Sequence, residues 1–271
     1  MRSAVLPLLY LLVACGDADS KAPAAPTAIA AHNPCNQQIF EDDRFTVCDA
    51  GGGRIELAAA ARNETPVRRF ADLESKLGAR AGRVAFAMNA GMYGEDGRPI
   101  GLAIVEGRQV RAINRRKGGG NFHLMPNGVF QVRGDGRSEI VTTADWKPSP
   151  DTRIATQSGP MLVIGGKLHP AFDHDGSSRH IRNGVGIAPD GRPLFVISED
   201  PVSLGKFARF FRDRLKCRDA LFFDGAVSAL WDPANHRRDV TVPLGPILVA
   251  FKPGTFRPEA SKPGPEGRAT P

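Results

Sequence analysis

Two acidic residues occupy equivalent positions in two successive apolar strands, each at the strand's end. The run from Leu194 to Ser198 leads into Glu199, and the run from Leu221 to Phe223 leads into Asp224. Carboxylates at strand ends, beside Gly and Pro turns, can project into a cleft while the strands hold their backbone still. Hydrolysis of a glycosidic or phosphate ester bond commonly uses one protonated and one ionised acid, and this pair could supply both. The alternative is that each acid only caps a turn.

Other polar residues follow or precede predicted strands. The amide of Asn89 can donate and accept hydrogen bonds, which suits a sugar hydroxyl or acetamido group, and Gly91 allows a ligand to approach the backbone; alternatively, Asn89 only ties its own turn together. Gln157 and Ser158 are expected to be hydrogen-bonding groups at a cleft wall. Arg182 could hold a phosphate through two parallel hydrogen bonds, or form a surface salt bridge.

The sequence gives little support for a metal or nucleotide site. Gly118, Gly119 and Gly120 form a glycine-rich loop, but the Lys, the Ser or Thr and the spacing of a nucleotide-binding loop are missing. The segment 173–186 lacks the final acid of a calcium-binding EF-hand, and the six His residues do not have the spacing of a zinc protease. We therefore expect no required cofactor or catalytic metal, while a structural divalent cation such as calcium remains compatible with the sequence.

The elements that must position these residues are mainly hairpins. Asp followed by Gly recurs at Asp96, Asp135 and Asp190, which is a strong hairpin signal when apolar runs flank it. Two helices are predicted, from Val67 to Leu77 with Gly78 ending it, and from Ser203 to Cys217 with Ser203 as its cap. The sequence thus predicts an α+β fold, a twisted and mostly antiparallel sheet with two main covering helices.

The two ends of the chain have the composition of export and tether segments. An uncharged apolar run from Ala4 to Ala14 has the length of a signal-peptide core, and Leu12–Val13–Ala14–Cys15 resembles a bacterial lipobox, in which Cys15 becomes lipidated. We predict a leader over 1–15, a flexible tether over 16–33, one domain over 34–252 and a disordered tail over 253–271.

Cysteine use agrees with export. Cys35 and Cys48 could close a small loop at the start of the domain, and Cys217 at the end of the second helix is expected to be a buried thiol. A pairing of Cys217 with either of the other two stays open at this point.

A formal net charge of +7 is typical of proteins that bind nucleic acid. The basic residues are scattered, however, and the dense cluster is limited to Arg115, Arg116 and Lys117, while aromatic residues are few. We therefore expect no nucleic acid, and consider anionic glycans, phosphodiesters or lipid headgroups the better partners.

Six segments in one collinear order resemble the phosphodiester glycosidase family, the bacterial relatives of the uncovering enzyme that removes N-acetylglucosamine from a phosphodiester. The matching segments are MNAGMY (88–93), GNFHLMPNGVF (120–130), ATQSGPMLV (155–163), RNGVGI (182–187), FVISEDPV (195–202) and LFFDGAVSALW (221–231). The resemblance implies hydrolysis of the bond between the anomeric carbon of a sugar and a phosphodiester.

The resemblance also implies roles for particular residues. Asp224 and Glu199 would take the acid, base or nucleophile roles, and Arg182 would bind the phosphate. The residues that would position sugar and phosphate oxygens are Asn89, Gly91, Ser158, Asn183 and Ser228. The family's Asp-Gly-Gly-Gly-Ser-Ser element departs here to 224–229, DGAVSA, which keeps Asp224 and Ser228 but loses two glycines and the second serine.

The predicted protein is thus an exported lipoprotein hydrolase of the bacterial cell envelope, anchored through Cys15 on the periplasmic side, in the outer rather than the inner membrane. Its expected partners are a sugar-phosphodiester or envelope glycan and the membrane that holds the anchor. The altered loop after Gly225 leaves one alternative open, a non-catalytic glycan-binding or envelope-structuring lipoprotein with the same fold.

Overall fold

A computed structural model describes residues 33–240 and 242–254. The predicted leader, the lipidated Cys15, nearly all of the tether and most of the tail lie outside these residues, so they stay predictions. Across the described ranges, no helix has both the length and the apolar character needed to cross a lipid bilayer.

The described residues form seventeen strands and two α-helices. The strands are β1 (Cys35–Phe40), β2 (Asp43–Asp49), β3 (Ile55–Ala58), β4 (Val84–Asn89), β5 (Ala103–Val105), β6 (Arg108–Arg111), β7 (Gly128–Arg133), β8 (Ser138–Thr142), β9 (Thr152–Ser158), β10 (Met161–Ile164), β11 (Lys167–Leu168), β12 (Asn183–Ile187), β13 (Pro193–Ser198), β14 (Asp219–Phe222), β15 (Leu230–Asp232), β16 (Arg237–Arg238) and β17 (Ile247–Phe251). The helices are α1 (Phe70–Leu77) and α2 (Leu204–Arg209).

These strands pair antiparallel in three sheets, which confirms the predicted α+β class. A seven-stranded sheet has the order β1-β2-β13-β12-β14-β10-β11, and two five-stranded sheets have the orders β16-β15-β4-β17-β3 and β6-β5-β9-β7-β8. The prediction described one sheet, whereas the structure divides the strands among three. Local hairpin signals do not specify which hairpins join a common sheet.

The Asp-Gly turns form as predicted at two of the three sites. Asp135 lies between β7 and β8, and Asp190 between β12 and β13, each accepting a hydrogen bond from the backbone N–H two residues later. Gly136 and Gly191 adopt φ angles of +88° and +85°, a region that glycine enters without strain. Asp96 makes the same local bond but shapes a loop outside the named strands.

Both predicted helices exist and both are shorter than predicted. Helix α1 starts at Phe70 rather than Val67 and ends at Gly78, whose φ is +54°. Helix α2 starts after Ser203, whose Oγ accepts the Lys206 N–H at 3.1 Å. It continues as a π-helix over Phe210–Arg214, so the helical segment stops before Cys217.

Aromatic packing fixes α2 on one face of the seven-stranded sheet. Phe207, Phe210 and Phe211 are buried against Phe45 and Phe222 of the sheet. The opposite face of this sheet buries a second apolar cluster that includes residues of the two other sheets. The helix therefore supports the strands that carry Glu199 and Asp224, as the amphipathic pattern predicted.

The cysteines resolve the alternatives that the sequence left open. Cys35 and Cys48 are cross-strand partners of β1 and β2 and form a disulfide. Cys217 is a buried free thiol, and its burial, together with the nearby negative charge of Asp219, raises its pKa to about 12. Such a thiol is an apolar core group rather than a nucleophile.

Candidate functional site

The two strand-end acids come to one edge of the seven-stranded sheet. Strands β13 and β14 run parallel to each other on either side of β12, so both end where β12 begins. The Ser198 N–H donates to the Arg182 carbonyl at 2.8 Å, and the Phe223 N–H donates to the Asn183 carbonyl at 3.0 Å. Two strand spacings separate the backbones of Glu199 and Asp224, about 10 Å. We call this side of the sheet the strand-end edge.

A buried amide network holds the loop after Asp224 against this edge. Asn89 Nδ2 donates to the Asp224 carbonyl at 2.9 Å, and its Oδ1 accepts from Asn183 Nδ2 and from the Ala229 N–H, each at 2.9 Å. Ser228 Oγ donates to Asn183 Oδ1 at 3.1 Å. The sequence predicted that Asn89 and Asn183 contact a substrate. Both are instead fully buried and bonded to each other, so they hold the loop in position.

Gly91 also serves packing rather than ligand approach. A Cβ at this position would lie 2.3 Å from the Gln157 carbonyl oxygen, so only glycine lets the chain pass β9 here. Its N–H donates to Thr156 Oγ1 at 3.3 Å. The predicted ligand approach at Gly91 is thus replaced by close contact between two segments of the protein.

The side chain of Gln157 is structural as well. Its Oε1 accepts the backbone N–H groups of Leu102 and Asn114, each at 2.9 Å, and its Nε2 donates to Asn114 O and Thr143 Oγ1. Because this amide is buried and fully used, the prediction that Gln157 lies at a cleft wall is wrong. Ser158 is fully buried too, but its Oγ has no hydrogen-bond partner among the described residues.

Asp224 is half-buried, and none of the described residues forms an ion pair with its carboxyl group. Its Oδ1 accepts the Ala226 N–H at 3.2 Å, and its backbone N–H donates to Ala90 O at 3.1 Å. Burial raises the pKa of this carboxyl, and the hydrogen bond from Ala226 only partly opposes the increase. The environment therefore favours the neutral acid more than water does.

Tyr93 lies close enough to Asp224 for the negative charge of the carboxylate to affect the pKa of its phenol. Burial and then the negative charge of Asp224 raise the pKa of the phenol. Tyr93 Oη donates to the Pro243 carbonyl at 2.6 Å, and Gly245 leaves room for the ring. In the sequence, Tyr93 is visible only as part of a matching segment, because its hydrogen-bond partner, Pro243, is 150 residues away along the chain.

Arg182 carries a buried charge without an acidic partner. The residue is 3% exposed, and no carboxylate among the described residues lies within ion-pair distance of its guanidinium. Nε donates to the Val202 carbonyl at 2.7 Å, and Nη2 to the Ser178 carbonyl at 2.8 Å. Burial lowers the pKa of Arg182 to about 10. Buried charges are usually paired, so this group is suited to an anion.

The guanidinium of Arg182 and the turn after Asp224 meet at one aromatic ring. The guanidinium carbon lies 5.5 Å from the centroid of the Phe222 ring. A Cβ on Gly225 would lie 2.4 Å from the same ring, so glycine is required there. We call the region of Arg182, Phe222 and the Gly225 backbone the Arg182 side of the turn, and Asp224 directly precedes this turn.

A groove of about 490 Å³ lies on the other side of this turn, and Asp224 is not part of its wall. Its lining contains charged, hydroxyl and apolar side chains, and Glu199 and Ser228 lie in it as predicted. The residues that line this Glu199 groove are His180, Ile181, Ile197, Ser198, Glu199, Gly225, Ala226, Val227, Ser228, Arg237, Asp239 and Val242.

The charges in the Glu199 groove are paired with each other. Glu199 Oε1 accepts from Thr46 Oγ1 at 2.6 Å and from Arg237 Nη1 at 2.5 Å. Arg237 also donates to both oxygens of Asp239, through Nε at 3.0 Å and Nη2 at 2.9 Å. Glu199 is therefore fixed through Oε1, while its Oε2 accepts no hydrogen bond from the described residues.

Sequence reasoning missed His180, Arg237 and Asp239. Arg237 and Asp239 belong to a short charged segment, 236–239, after the last matching motif, and that charge density was the available signal. Within 33–240 and 242–254, no group of three or more His, Cys, Asp or Glu is arranged to hold a metal ion.

Comparison with known proteins identifies relatives of this chain. Residues 82–243 match the family model described as phosphodiester glycosidase. The uncharacterized protein YigE of Escherichia coli K12 is 38% identical over 162 residues, which are 60% of this chain and 61% of YigE. The chain therefore spans less than two thirds of that relative's length.

Solved structures share the fold at low sequence identity. The catalytic domain of zebrafish N-acetylglucosamine-1-phosphodiester alpha-N-acetylglucosaminidase, auto-inhibited by its pro-peptide, has a TM-score of 0.55 and 13% identity, over 80% of this chain and 81% of that one. A hypothetical protein from Synechocystis has a TM-score of 0.50 and 12% identity, over 80% of this chain and 61% of that one. At these identities the likeness concerns the fold.

Proposed function

The chain belongs to the phosphodiester glycosidase family, and from this membership and the geometry of the strand-end edge we propose that it hydrolyses a sugar-phosphodiester bond. The observation that carries the proposal is the contrast across the turn after Asp224. One side offers a buried guanidinium that has no carboxylate partner among the described residues, and the other offers a groove with an acid in an ion pair with Arg237. A sugar-phosphodiester has an anionic part and a hydroxyl-rich part that suit these two sides.

The phosphate binds on the Arg182 side. The guanidinium can present two parallel N–H groups to phosphate oxygens once the exposed Ser178 gives up its hydrogen bond. Asp224 lies at the same turn, and its raised pKa favours a neutral carboxyl. A neutral carboxyl donates a hydrogen bond to the phosphate oxygen that leaves the sugar and can pass its proton to that oxygen, whereas a carboxylate would repel the phosphate.

The sugar binds in the Glu199 groove. Arg237 and Thr46 fix Glu199 through its Oε1. Its Oε2 accepts no hydrogen bond from the described residues, so this oxygen can take a proton from water. The oxygen of that water bonds to the anomeric carbon, the bond from this carbon to the phosphate oxygen breaks, and the electron pair leaves with the phosphate. Asn89, Asn183 and Ser228 keep the turn in place between the two reacting halves.

We also propose that the protein is an exported lipoprotein of the bacterial cell envelope, held through Cys15 with the domain on the periplasmic side. The apolar run that ends at Cys15 and the disulfide between Cys35 and Cys48 support this proposal. Labelling of the wild-type chain by radioactive palmitate in growing cells, with no label in Cys15→Ala, is the expected result. Equal labelling of both chains would refute the lipid anchor.

Hydrolysis in ¹⁸O-water tests the reaction itself. The purified protein is incubated with a sugar 1-phosphodiester that carries a fluorescent group on the phosphate, with and without a chelator. We expect release of the reducing sugar, with ¹⁸O on its anomeric carbon, and unchanged activity in the chelator. Label in the phosphate instead would show P–O cleavage and a phosphodiesterase, and tight binding without product would support the non-catalytic rival.

A further inference from the structure

Arg68 is a half-buried arginine whose charge the proposed mechanism does not use. Its guanidinium carbon lies over the ring of Tyr93, 5.3 Å from the ring centroid. Among the described residues, none forms an ion pair with this guanidinium, and none accepts a hydrogen bond from it. Such a group has a role only if the fold holds it in place, since an arginine that is free to move is simply solvated.

Two glycines hold the stacked pair of Arg68 and Tyr93. A Cβ on Gly97 would collide with the Arg68 guanidinium, and a Cβ on Gly245 would collide with the Tyr93 ring. Gly97 is buried and has a φ of +76°, in a region that favours glycine. Each member of the pair is thus packed against backbone, and the guanidinium has a fixed position.

Backbone hydrogen bonds connect this pair to the turn after Asp224. The Asp224 N–H donates to the Ala90 carbonyl at 3.1 Å, and the Ala90 N–H donates to the Pro246 carbonyl at 2.8 Å. Two residues before Pro246, the Leu244 N–H donates to the Arg68 carbonyl at 2.7 Å. These bonds hold Arg68 close to the strand-end edge.

The electrostatic environment of Tyr93 agrees with this placement. Burial and the negative charge of Asp224 raise the pKa of the phenol, and the positive charge of Arg68 opposes the increase. The phenol is therefore within electrostatic reach of both groups. Neither Tyr93 nor Arg68 belongs to the lining of the Glu199 groove, so the pair lies outside the proposed sugar site.

The position of Arg68 suits the part of the substrate beyond the phosphate. In the proposed reaction the sugar occupies the Glu199 groove and the phosphate binds Arg182, so the second ester group of the phosphate extends away from the groove. A guanidinium that covers an aromatic ring keeps its N–H donors, because these lie in the plane of the group. Carboxylates and phosphates are the groups that such donors bind best.

We propose that Arg68 is a specificity-determining residue, which binds a second negative charge that the substrate carries on the group beyond its phosphate. This inference rests on the proposed function, because it uses the position of the phosphate on Arg182. The favoured substrate is a sugar phosphodiester whose leaving part ends in a carboxylate or a phosphate monoester. Arg182 and Arg68 then bind successive negative charges, and the Tyr93 ring keeps the second guanidinium in place.

Calorimetric binding to the Asp224→Asn protein tests the inference without turnover. The ligands are two sugar 1-phosphodiesters that differ only at the end of a butyl chain on the phosphate, which is a carboxylate in one and a carboxamide in the other. We expect the carboxylate to bind tenfold or more tightly than the carboxamide, because it gains one charge-assisted contact. Arg68→Gln, added to this protein, should abolish the preference, and Arg68→Lys should keep part of it. A third ester that ends in a phosphate monoester shows which of the two anions binds more tightly.

The matched control is Arg69→Gln, which removes the exposed neighbouring arginine and should keep the full preference. An equal preference with and without Arg68 would overturn the inference. A preference that Arg69→Gln also abolishes would overturn it too, since binding would then reflect general surface charge.

Hydrolysis of the same esters by the wild type separates this inference from the proposed function. A preference that depends on Arg68, together with no hydrolysis, contradicts the proposed function alone. Hydrolysis of the carboxylate and carboxamide esters with equal kcat/KM contradicts the role of Arg68 alone. A failure of both esters to bind contradicts both.

Discussion

The charged groups on the two sides of the turn after Asp224 differ in whether they form ion pairs. In the Glu199 groove, Arg237 is bonded to Glu199 and to Asp239, so each charge has a partner within the protein. On the Arg182 side, the guanidinium is buried and bonded to carbonyl groups. Asp224, which precedes the turn, has a raised pKa and forms no ion pair with any described residue. Charges that are paired hold the structure in place, whereas unpaired buried charges are suited to a ligand.

This comparison reassigns the roles suggested by the sequence. Asn89 and Asn183 resembled ligand-binding residues because polar groups at strand ends often bind substrate, yet both are used to fix the turn. Arg182 and Asp224 keep their proposed roles because neither forms an ion pair within the described part of the chain. In the proposed mechanism, the turn separates the phosphate from the sugar, and hydrogen bonds to Asn89 and Asn183 hold it in place.

The largest expected effect is that of Asp224→Asn. Loss of a group that acts directly on the substrate should lower kcat by about 10²- to 10⁴-fold. The control is Asp96→Asn, an exposed turn residue with a similar backbone hydrogen bond, which should keep full activity. An active Asp224→Asn protein would remove this side of the turn from the mechanism.

The same substitution has a predictable effect on stability. The pKa of Asp224 is higher in the folded state than in the unfolded state, where it is about 3.9. As the pH rises from the unfolded pKa through the folded pKa, ionisation of Asp224 therefore lowers the free energy of unfolding. Asp224→Asn removes this cost, so at neutral pH the variant should unfold at the same or higher urea concentration than the wild type, with less advantage at acidic pH. A variant destabilised at neutral pH would show that the carboxylate is structural.

Arg182→Lys should affect substrate binding more than turnover. Lysine keeps the charge but lacks the planar fork that bonds phosphate oxygens in pairs, so we expect KM to rise about 10- to 100-fold with a smaller change in kcat. Inorganic phosphate should also lose potency as a competitive inhibitor. Unchanged inhibition by phosphate would move the anion site away from Arg182.

Glu199→Gln should change KM less than Arg182→Lys does, and it should lower kcat. The variant keeps the hydrogen bond with Thr46 but loses the ion pair with Arg237, and it cannot take a proton from water. We expect kcat to fall about 10²-fold while KM changes little. Thr46→Val, which removes only the hydrogen bond, is the control and should retain most of the activity.

The smallest effect is expected at Val227, one of the positions where this chain departs from the family's glycine-rich turn. Val227 is buried in an apolar cluster that includes Trp231 and Ala229. Val227→Ala should therefore cost about 1.5 kcal/mol of unfolding free energy, with less than a threefold change in kcat. A large loss of activity would mean that the turn's shape, and not only its anchoring, is critical.

Local signals predicted much of the fold, and long-range contacts account for what they missed. The Ser203 cap, the Gly78 stop and the turn at Asp190 depend on residues within a few positions, so they are visible in the sequence. The three-sheet arrangement and the partner of Glu199 are not local, since Arg237 is 38 residues away. Burial of Asn89 also depends on strands that are distant in sequence.

The position of a bound substrate tests the contrast between the two sides most directly. The inactive Asp224→Asn protein can be crystallised with a sugar-phosphodiester and its electron density examined at the turn. We expect the phosphate on the guanidinium of Arg182 and the sugar ring in the Glu199 groove. A phosphate on Arg237, with Arg182 still bonded to Val202 and Ser178, would contradict this mechanism.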